Sequence, residues 1–276
     1  DYCYEPVQVD SDNKTMVVVL SDFHIGYVIN NCKGNYFNWE IANERIDRLL
    51  EACHKYIALY GIKQVNVYNL GDTIEGTYMR KNQSQYCEFL QGEQISRATL
   101  LIHRFLVSLC KDCNVLYDGV AGNHDRMNGD KTQNFDGDNA NSIITPMLTS
   151  LVEASENKRI TIVDREYRDI EIITTINGVR CKLVHGDQST RTDKIKNEIS
   201  MDNQFYDLYV EGHWHNHKVQ SENRGRYLVT NGCLSGFNNY SSAFGCATEA
   251  SQTIIIIGDN EIEMIKDVQL SKCIVE

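Results

Sequence analysis

Apolar residues recur along the chain in short runs bounded by turn residues, and the spacing inside each run separates strands from helices. The runs 16–20, 64–69, 114–117, 160–163, 170–176, 179–184, 206–210, 227–230 and 252–257 are compact and rich in Val, Ile and Tyr, which predicts β-strands. Two segments carry a longer period. In the first, Ile46, Leu49, Leu50, Cys53 and Ile57 share a helical face, with Asn38 placed to cap its start and Gly61 beyond its end. In the second, Ile95, Ala98, Ile102, Phe105, Leu106 and Leu109 repeat the pattern. Strand and helix alternate through this half, so parallel pairing with helices packed outside is expected.

The second half is richer in strands. Asn177-Gly178 between two β-rich runs signals a hairpin, and Gly258-Asp259-Asn260 supports another. Met127 to Asn139 reads as a polar loop, and Gly186 to Asn203 as a polar insertion with a short helix. No repeat, low-complexity tract or Pro/Ser linker divides the chain, so one α/β domain with two sheets is expected over residues 1–276.

Composition narrows the class. With 42% hydrophobic and 24% charged residues and only 2 Pro in 276, disordered and collagen-like chains are excluded. A formal charge of −11 argues against a broad basic footprint on duplex phosphates, so any nucleic-acid contact is local. No apolar run approaches the roughly 18 residues of a bilayer span. The chain opens at Asp1 rather than Met, so the lack of a leader pattern carries little weight. The 10 cysteines have no framework spacing, and Cys53, Cys110 and Cys181 sit in apolar segments; reduced thiols and a cytoplasmic location are expected. Cys110 and Cys113 form a C-x-x-C without a second half, which reads as structural.

Five strand-like runs end in metal-competent side chains. VVVLSDFH delivers Asp22 and His24, VYNLGDTIE delivers Asp72, VAGNHD delivers Asn123 and His124, KLVHGD delivers His185, and YVEGHWH delivers His213 and His215. Residues two apart on an extended segment point the same way, so each pair is expected to aim at one place. Ligands in open α/β sheets bind beyond the carboxyl ends of strands. If Asp72 bridges two ions, the seven residues other than His124 fill four coordination positions per ion. Ions held roughly 3.5–4 Å apart would activate a bridging water and clamp the oxygens of an in-line displacement at phosphorus. Imidazole, carboxylate and amide donors suit two divalent transition-metal ions, Mn foremost, with Fe, Ni or Zn as alternatives, better than Ca or Mg.

These blocks, DFH, GDTIE, GNHD, HGD and GHWH, resemble those of the calcineurin-like metallophosphoesterase family, in order from Asp22 to His215. The NWEIANERIDRLL and LVTNGCLSG segments are more similar to bacteriophage and bacterial members, related to the DNA-repair nuclease branch, than to protein phosphatases. The resemblance implies a four-layer α/β fold: two mixed β-sheets packed as a sandwich, flanked by helices, with the metals at one end. It implies Asp22, His24, Asp72 and His215 on one ion, and Asp72, Asn123, His185 and His213 on the other. It further implies that His124 faces the scissile phosphate as acid or phosphate stabiliser, oriented by Glu75.

Bland readings compete at other positions. A lone His or Asp at a strand end is usually a satisfied polar group, and only the five blocks together reverse that. His217 continues GHWHNH outside the pattern and reads as surface or supporting; His54 and His103 receive no role. Arg126 is a substrate-phosphate candidate, weighed equally against a local loop anchor. Arg80, Lys81, Arg191 and Lys194 could steer substrate, although most such charges are merely solvated. Asp130 to Asn139 lacks a calcium-loop register and reads as a mobile loop. Tyr78, Tyr86, Phe89, Phe237 and Tyr240 are stacking candidates, yet core or subunit packing is more common; a homodimer through Tyr78 to Leu90 is conceivable.

The sequence thus points to a phosphodiesterase acting on nucleotides or DNA by attack of a metal-bridging hydroxide on phosphorus, in the host-cell cytoplasm if phage-encoded. A phosphomonoesterase or cyclic-nucleotide phosphodiesterase is the alternative. A catalytically silent scaffold would be expected to have lost ligands, and none is missing.

Overall fold

A computed structural model describes residues 4–9, 14–188, 201–238, 241–242 and 248–271. The first sheet contains β1 (Thr15–Leu20), β4 (Gln64–Asn69), β5 (Asn114–Gly119), β6 (Ile160–Ile162), β12 (Ser251–Ile257) and β13 (Ile262–Gln269), in the order β13-β12-β1-β4-β5-β6. The second contains β7 (Glu171–Ile176), β8 (Val179–Val184), β9 (Leu208–Glu211), β10 (Lys218–Glu222) and β11 (Arg226–Thr230), in the order β10-β11-β9-β8-β7. Both are mixed. β1, β4, β5 and β6 run parallel, as strand-helix alternation predicts, while β12 pairs antiparallel with β1. In the second sheet β8, β9 and β11 run parallel and the outer strands antiparallel.

Alternation along β1 builds two cores at once. Met16, Val18 and Leu20 face one cluster, and Val17 and Val19 face the other. The first cluster joins the sheet to α1 (Trp39–Tyr60), α2 (Gln91–Leu109) and α3 (Asn141–Ala154), through side chains such as Leu49, Phe105 and Leu148. The second lies between the sheets, where Val17, Val19, Ile255 and Ile257 meet Ile176, Leu183, Leu208 and Val229. β1 and β12 are covered on both faces, which explains the apolar runs Met16 to Leu20 and Ile254 to Ile257. Helices, first sheet and second sheet give three of the expected four layers among the described residues.

Local signals explain most element ends. Asn38 Oδ1 accepts Ile41 N–H at 2.9 Å at the start of α1, and Gly61 follows its end at φ +64°. Asn177-Gly178 turns β7 into β8 with both residues at positive φ, and β12 and β13 form the second hairpin. Three features lacked a readable apolar pattern: α3, interrupted by Pro146; the small β2 (Ile29–Cys32) and β3 (Asn35–Phe37) ribbon; and β10, whose KVQSE sequence is mostly exposed. The 127–139 segment is a loop as expected, while most of the 186–203 insertion lies outside the described residues. The seven cysteines among the described residues are free, including Cys110 and Cys113.

Candidate metal centre

Five parallel strands deliver the chemistry. β1, β4 and β5 are neighbours in the first sheet and β8 and β9 in the second. Asp22 and His24 follow β1, Asp72 follows β4, Asn123 and His124 follow β5, His185 follows β8, and His213 and His215 follow β9. Side chains from opposite sheets then touch. His215 Nε2 lies 3.2 Å from Asp22 Oδ1, and His185 Nε2 lies 3.3 Å from Asp72 Oδ2.

Two groups of strand-end donors result, beside a third made of His24, Glu75 and His124. Ligand atoms of Asp22, His24 and His215 lie within 4.8 Å of one another, as do those of Asp72, His185 and His213. Asn123 Oδ1 joins the second group, 3.2 Å from His185 Nε2. Asp72 stands between them, because its Oδ2 is also 4.0 Å from His24 Nε2. Hydrogen bonds set the exposed ring nitrogens: His185 Nδ1 donates to the Leu70 carbonyl at 2.7 Å, and His24 Nδ1 to Glu75 at 2.8 Å, freeing Nε2 of each ring. The chemistry of this set, imidazole with carboxylate and amide oxygen, fits divalent metal ions.

The ligand candidates after β1 and β9 are not on extended segments. β1 ends at Leu20 and β9 at Glu211, and Asp22, His24, His213 and His215 have φ of +53°, +48°, +68° and +56°. Asp22 and His24 converge on one group through sharp left-handed turns, not through strand alternation, whereas His213 and His215, expected to aim at one place, part to different groups, His215 to Asp22 and His24 and His213 to Asp72 and His185. Asp72 shares the conformation at φ +49°. A non-glycine residue there costs about 1–2 kcal/mol, and such strain gathers at functional sites. Two glycines let the loops approach: a Cβ at Gly71 would collide with Gly122 N, and one at Gly122 with Asp72 Oδ1.

His124 and Glu75 lie beside the donor groups. The His124 backbone N–H donates to Asp72 Oδ1 at 2.7 Å, so this residue positions a carboxylate through its main chain. Its ring Nδ1 is 2.8 Å from the Glu75 carbonyl and 3.4 Å from the Glu75 carboxylate. Glu75 therefore holds both imidazoles, His24 more closely by its carboxylate and His124 more closely by its carbonyl. Gln83 Nε2 donates to Glu75 Oε1 at 2.7 Å and fixes the carboxylate from behind.

Charges here are strongly interdependent. Burial raises the Glu75 pKa, but hydrogen bonds from His124 and His24 bring it down to about 2. Burial likewise opposes ionisation of Asp72, yet His185 and His124 hold it well below the usual carboxylate range. For His185, burial favours the neutral ring, and Asp72 overcomes this to push the pKa up to about 10. The same balance of burial against Asp72 and Glu75 raises His124 to about 9. The buried carboxylates thus impose a demand for local positive charge.

Sequence reasoning missed four contributors. Asp125 is 1% exposed and its carboxylate accepts the N–H groups of Thr73, Ile74 and Gly122 at 2.9, 3.2 and 2.8 Å, which clamps the GDTIE and GNHD loops together. GNHD contains this Asp, but only three-dimensional proximity reveals its donors. Asn231 and Gln252 secure the turn after β1, with Asn231 Nδ2 donating to Ser21 Oγ at 2.9 Å and Ser21 N–H to Gln252 at 2.9 Å. Trp214, between two ligand candidates, is exposed and meets the His213 ring edge-on at 5.2 Å.

Other candidates fall elsewhere. Arg126 is half-buried, with Nε donating to the Asn123 carbonyl at 2.9 Å. His217 contacts Thr253 at 3.1 Å, away from both donor groups, and His54 meets Ser108 at 3.4 Å. Arg80, Lys81, Tyr78, Tyr86 and Leu90 are exposed, whereas Phe89 packs under Arg97 and Phe237 against the helical core. Arg191, Lys194 and Tyr240 lie outside the described residues.

The site is thus a constellation of His, Asp and Asn at the carboxyl ends of an α/β sandwich. No protein-family model matches the chain. It is 20% identical over 216 residues to the SPbeta prophage-derived uncharacterized protein YonJ of Bacillus subtilis (strain 168), a match covering 77% of this chain. The chain spans about half, 52%, of that curated relative's length. Similar solved structures include an archaeal phosphodiesterase (12% identity, 92% of this chain and 99% of that one, TM-score 0.44). They also include zinc-complexed Vps29 from Entamoeba histolytica (14%, 93% and 99%, TM-score 0.42). A third is a predicted phosphoesterase from Streptococcus pneumoniae TIGR4 (11%, 93% and 90%, TM-score 0.40). These values assign no residue's role in this chain. Among the described residues, no helix is long and apolar enough to cross a membrane.

Proposed function

We propose that the protein is a dinuclear-metal phosphoester hydrolase of the calcineurin-like metallophosphoesterase type, acting in the cytoplasm on phosphodiesters of nucleotides or DNA. The observation that carries this reading is the meeting of donors from five separate strand-end loops in two adjoining groups, with Asp72 a member of one and 4.0 Å from His24 of the other. Asp22, His24, Asp72 and His215 would hold one ion, and Asp72, Asn123, His185 and His213 the other. Such ions, Mn in the preferred reading, supply Lewis-acid polarisation of phosphoryl oxygens and lower the pKa of water.

The chain's own groups complete the chemistry. His124, with Nδ1 donating to the Glu75 carbonyl, presents Nε2 to a bound phosphate and delivers a proton to the departing oxygen. Glu75 keeps His24 oriented and stabilises positive charge on His124. Arg126, anchored through Nε, offers its terminal nitrogens to a phosphate oxygen.

The direct test is hydrolysis by the Mn-loaded protein of p-nitrophenyl phosphate, bis-p-nitrophenyl phosphate, cyclic nucleotides, and single- and double-stranded DNA. Diester cleavage exceeding monoester cleavage supports the proposal. Preference for monoesters or cyclic nucleotides selects the alternative enzyme reading, and no turnover of any substrate rejects a hydrolase.

A further inference from the structure

A cavity of about 670 Å³ adjoins the centre, with Asn123 and His185 in its wall. Its volume falls within the roughly 300–1,000 Å³ of small-molecule sites. Two loops shape it. The 127–139 loop is closed at its base by a bridge between Arg126 and Asn139, and Asn139 Nδ2 ties it to the Tyr167 carbonyl at 2.8 Å. Within the loop, Asn134 Nδ2 donates to the backbone carbonyls of Phe135 and Asp138 at 2.9 and 3.0 Å, and its Oδ1 accepts the Asn128 N–H at 2.8 Å. These bonds define the loop that carries Phe135, which is nevertheless 80% exposed. Phe135 and Tyr167, itself 37% exposed, both line the cavity.

The charges on the wall divide into engaged and available groups. Lys182 is engaged by Glu171 and Asp202, each at 2.7 Å, and Asp169 by Arg165 at 3.4 Å. Arg126 uses Nε on the Asn123 carbonyl, while its terminal nitrogens and the guanidinium of Arg168 have no hydrogen-bond partner among the described residues. The cavity thus combines the candidate metal centre, apolar ring faces and available guanidinium groups, with Lys131, Asp136 and Asp187 also on its wall. An aromatic face accepts any base, and a guanidinium matches phosphate geometry. Affinity for duplex grows with the number of phosphates neutralised, and these few cations on a chain of charge −11 suit a short single strand better.

Resting on the hydrolase reading above, we propose that this cavity is a nucleotide pocket for single-stranded substrate. It takes the nucleoside next to the scissile phosphate, with its base against Phe135 and Tyr167 and the following phosphate at Arg126 and Arg168. Phe135 and Arg168 thereby determine specificity and take no part in bond cleavage.

The test compares wild type, Phe135→Ala, Phe135→Trp and Arg168→Ala, all Mn-loaded, on a single-stranded trinucleotide containing 2-aminopurine and on methyl p-nitrophenyl phosphate. Phe135→Ala is expected to raise KM for the trinucleotide about tenfold or more, with recovery in Phe135→Trp and little change on the small diester. Arg168→Ala is expected to raise the same KM and flatten its dependence on salt. Independently of turnover, 2-aminopurine emission is read with the protein in EDTA, where wild type should quench it and Phe135→Ala should quench it less. Equal trinucleotide KM and equal quenching in all variants overturn the pocket while leaving the hydrolase reading intact. Duplex cleavage as efficient as single-strand cleavage also overturns it. If wild type hydrolyses no phosphoester, the hydrolase reading fails, and the quenching comparison alone decides whether the cavity binds the base.

Discussion

The carboxylate of Glu75 lies 2.8 Å from Nδ1 of His24. That contact couples the GDTIE block to a metal-ligand candidate as well as to His124, so replacing Glu75 should disturb both. Removing the outer partner of a ligating imidazole typically costs about 10–100-fold in metal affinity. Glu75→Gln is expected to weaken metal binding in that range by calorimetric titration and to reduce kcat. Unchanged metal affinity would restrict Glu75 to a role on His124.

His124→Ala separates main-chain from side-chain roles. The N–H that holds Asp72 Oδ1 at 2.7 Å survives this substitution, so metal content should be retained. Loss of the imidazole should lower kcat by about 10²–10⁴-fold on a diester with a poor leaving group, the usual scale of acid–base catalysis. Parallel metal analysis and steady-state kinetics check both parts, and loss of metal would contradict the assignment.

Much of this arrangement was legible because strand ends announce themselves. The runs ending at Leu20, Asn69, Val184 and Glu211 are largely buried strands followed within three residues by Asp or His, and Asn38 and Gly61 bracket α1 visibly. Their convergence was legible too, but the conformation producing it was not. Left-handed φ at Asp22, His24, Asp72, His213 and His215 arises from loops crossing the ends of two sheets, which spacing within one run does not encode. Asp125 escaped for a related reason, since two of its three donors are about fifty residues distant. α3 escaped because Pro146 interrupts its apolar pattern, and β10 because its side chains lie mostly in solvent.

Asp125→Ala would leave the N–H groups of Thr73, Ile74 and Gly122 without their buried acceptor. Each unsatisfied group costs about 1–3 kcal/mol, so a loss of roughly 3 kcal/mol or more is expected in urea unfolding. Asp125→Asn, which retains one carbonyl oxygen, should lose less. A stability equal to wild type would show that the clamp is dispensable.

Acid should erase a different contribution. The hydrogen bond from Lys182, with help from Tyr206, lowers the Asp202 carboxyl below its ordinary 3.8 despite opposing burial. The folded pKa is depressed, so the stabilisation is complete above pH 3.8 and disappears as pH falls through the lower folded value. Lys182→Met should cost roughly 1–3 kcal/mol at pH 7, and the gap from wild type should narrow below that threshold. Urea midpoints at pH 7 and pH 3 test this, and a gap that widens in acid would give the wrong sign.

Whether a pair of divalent ions shares Asp72 is read from metal content by mass spectrometry after Mn loading and removal of free ion. Wild type is predicted to hold two Mn per chain, and Asp72→Ala to lose both. One ion or none in wild type, or two ions retained by Asp72→Ala, would contradict the account.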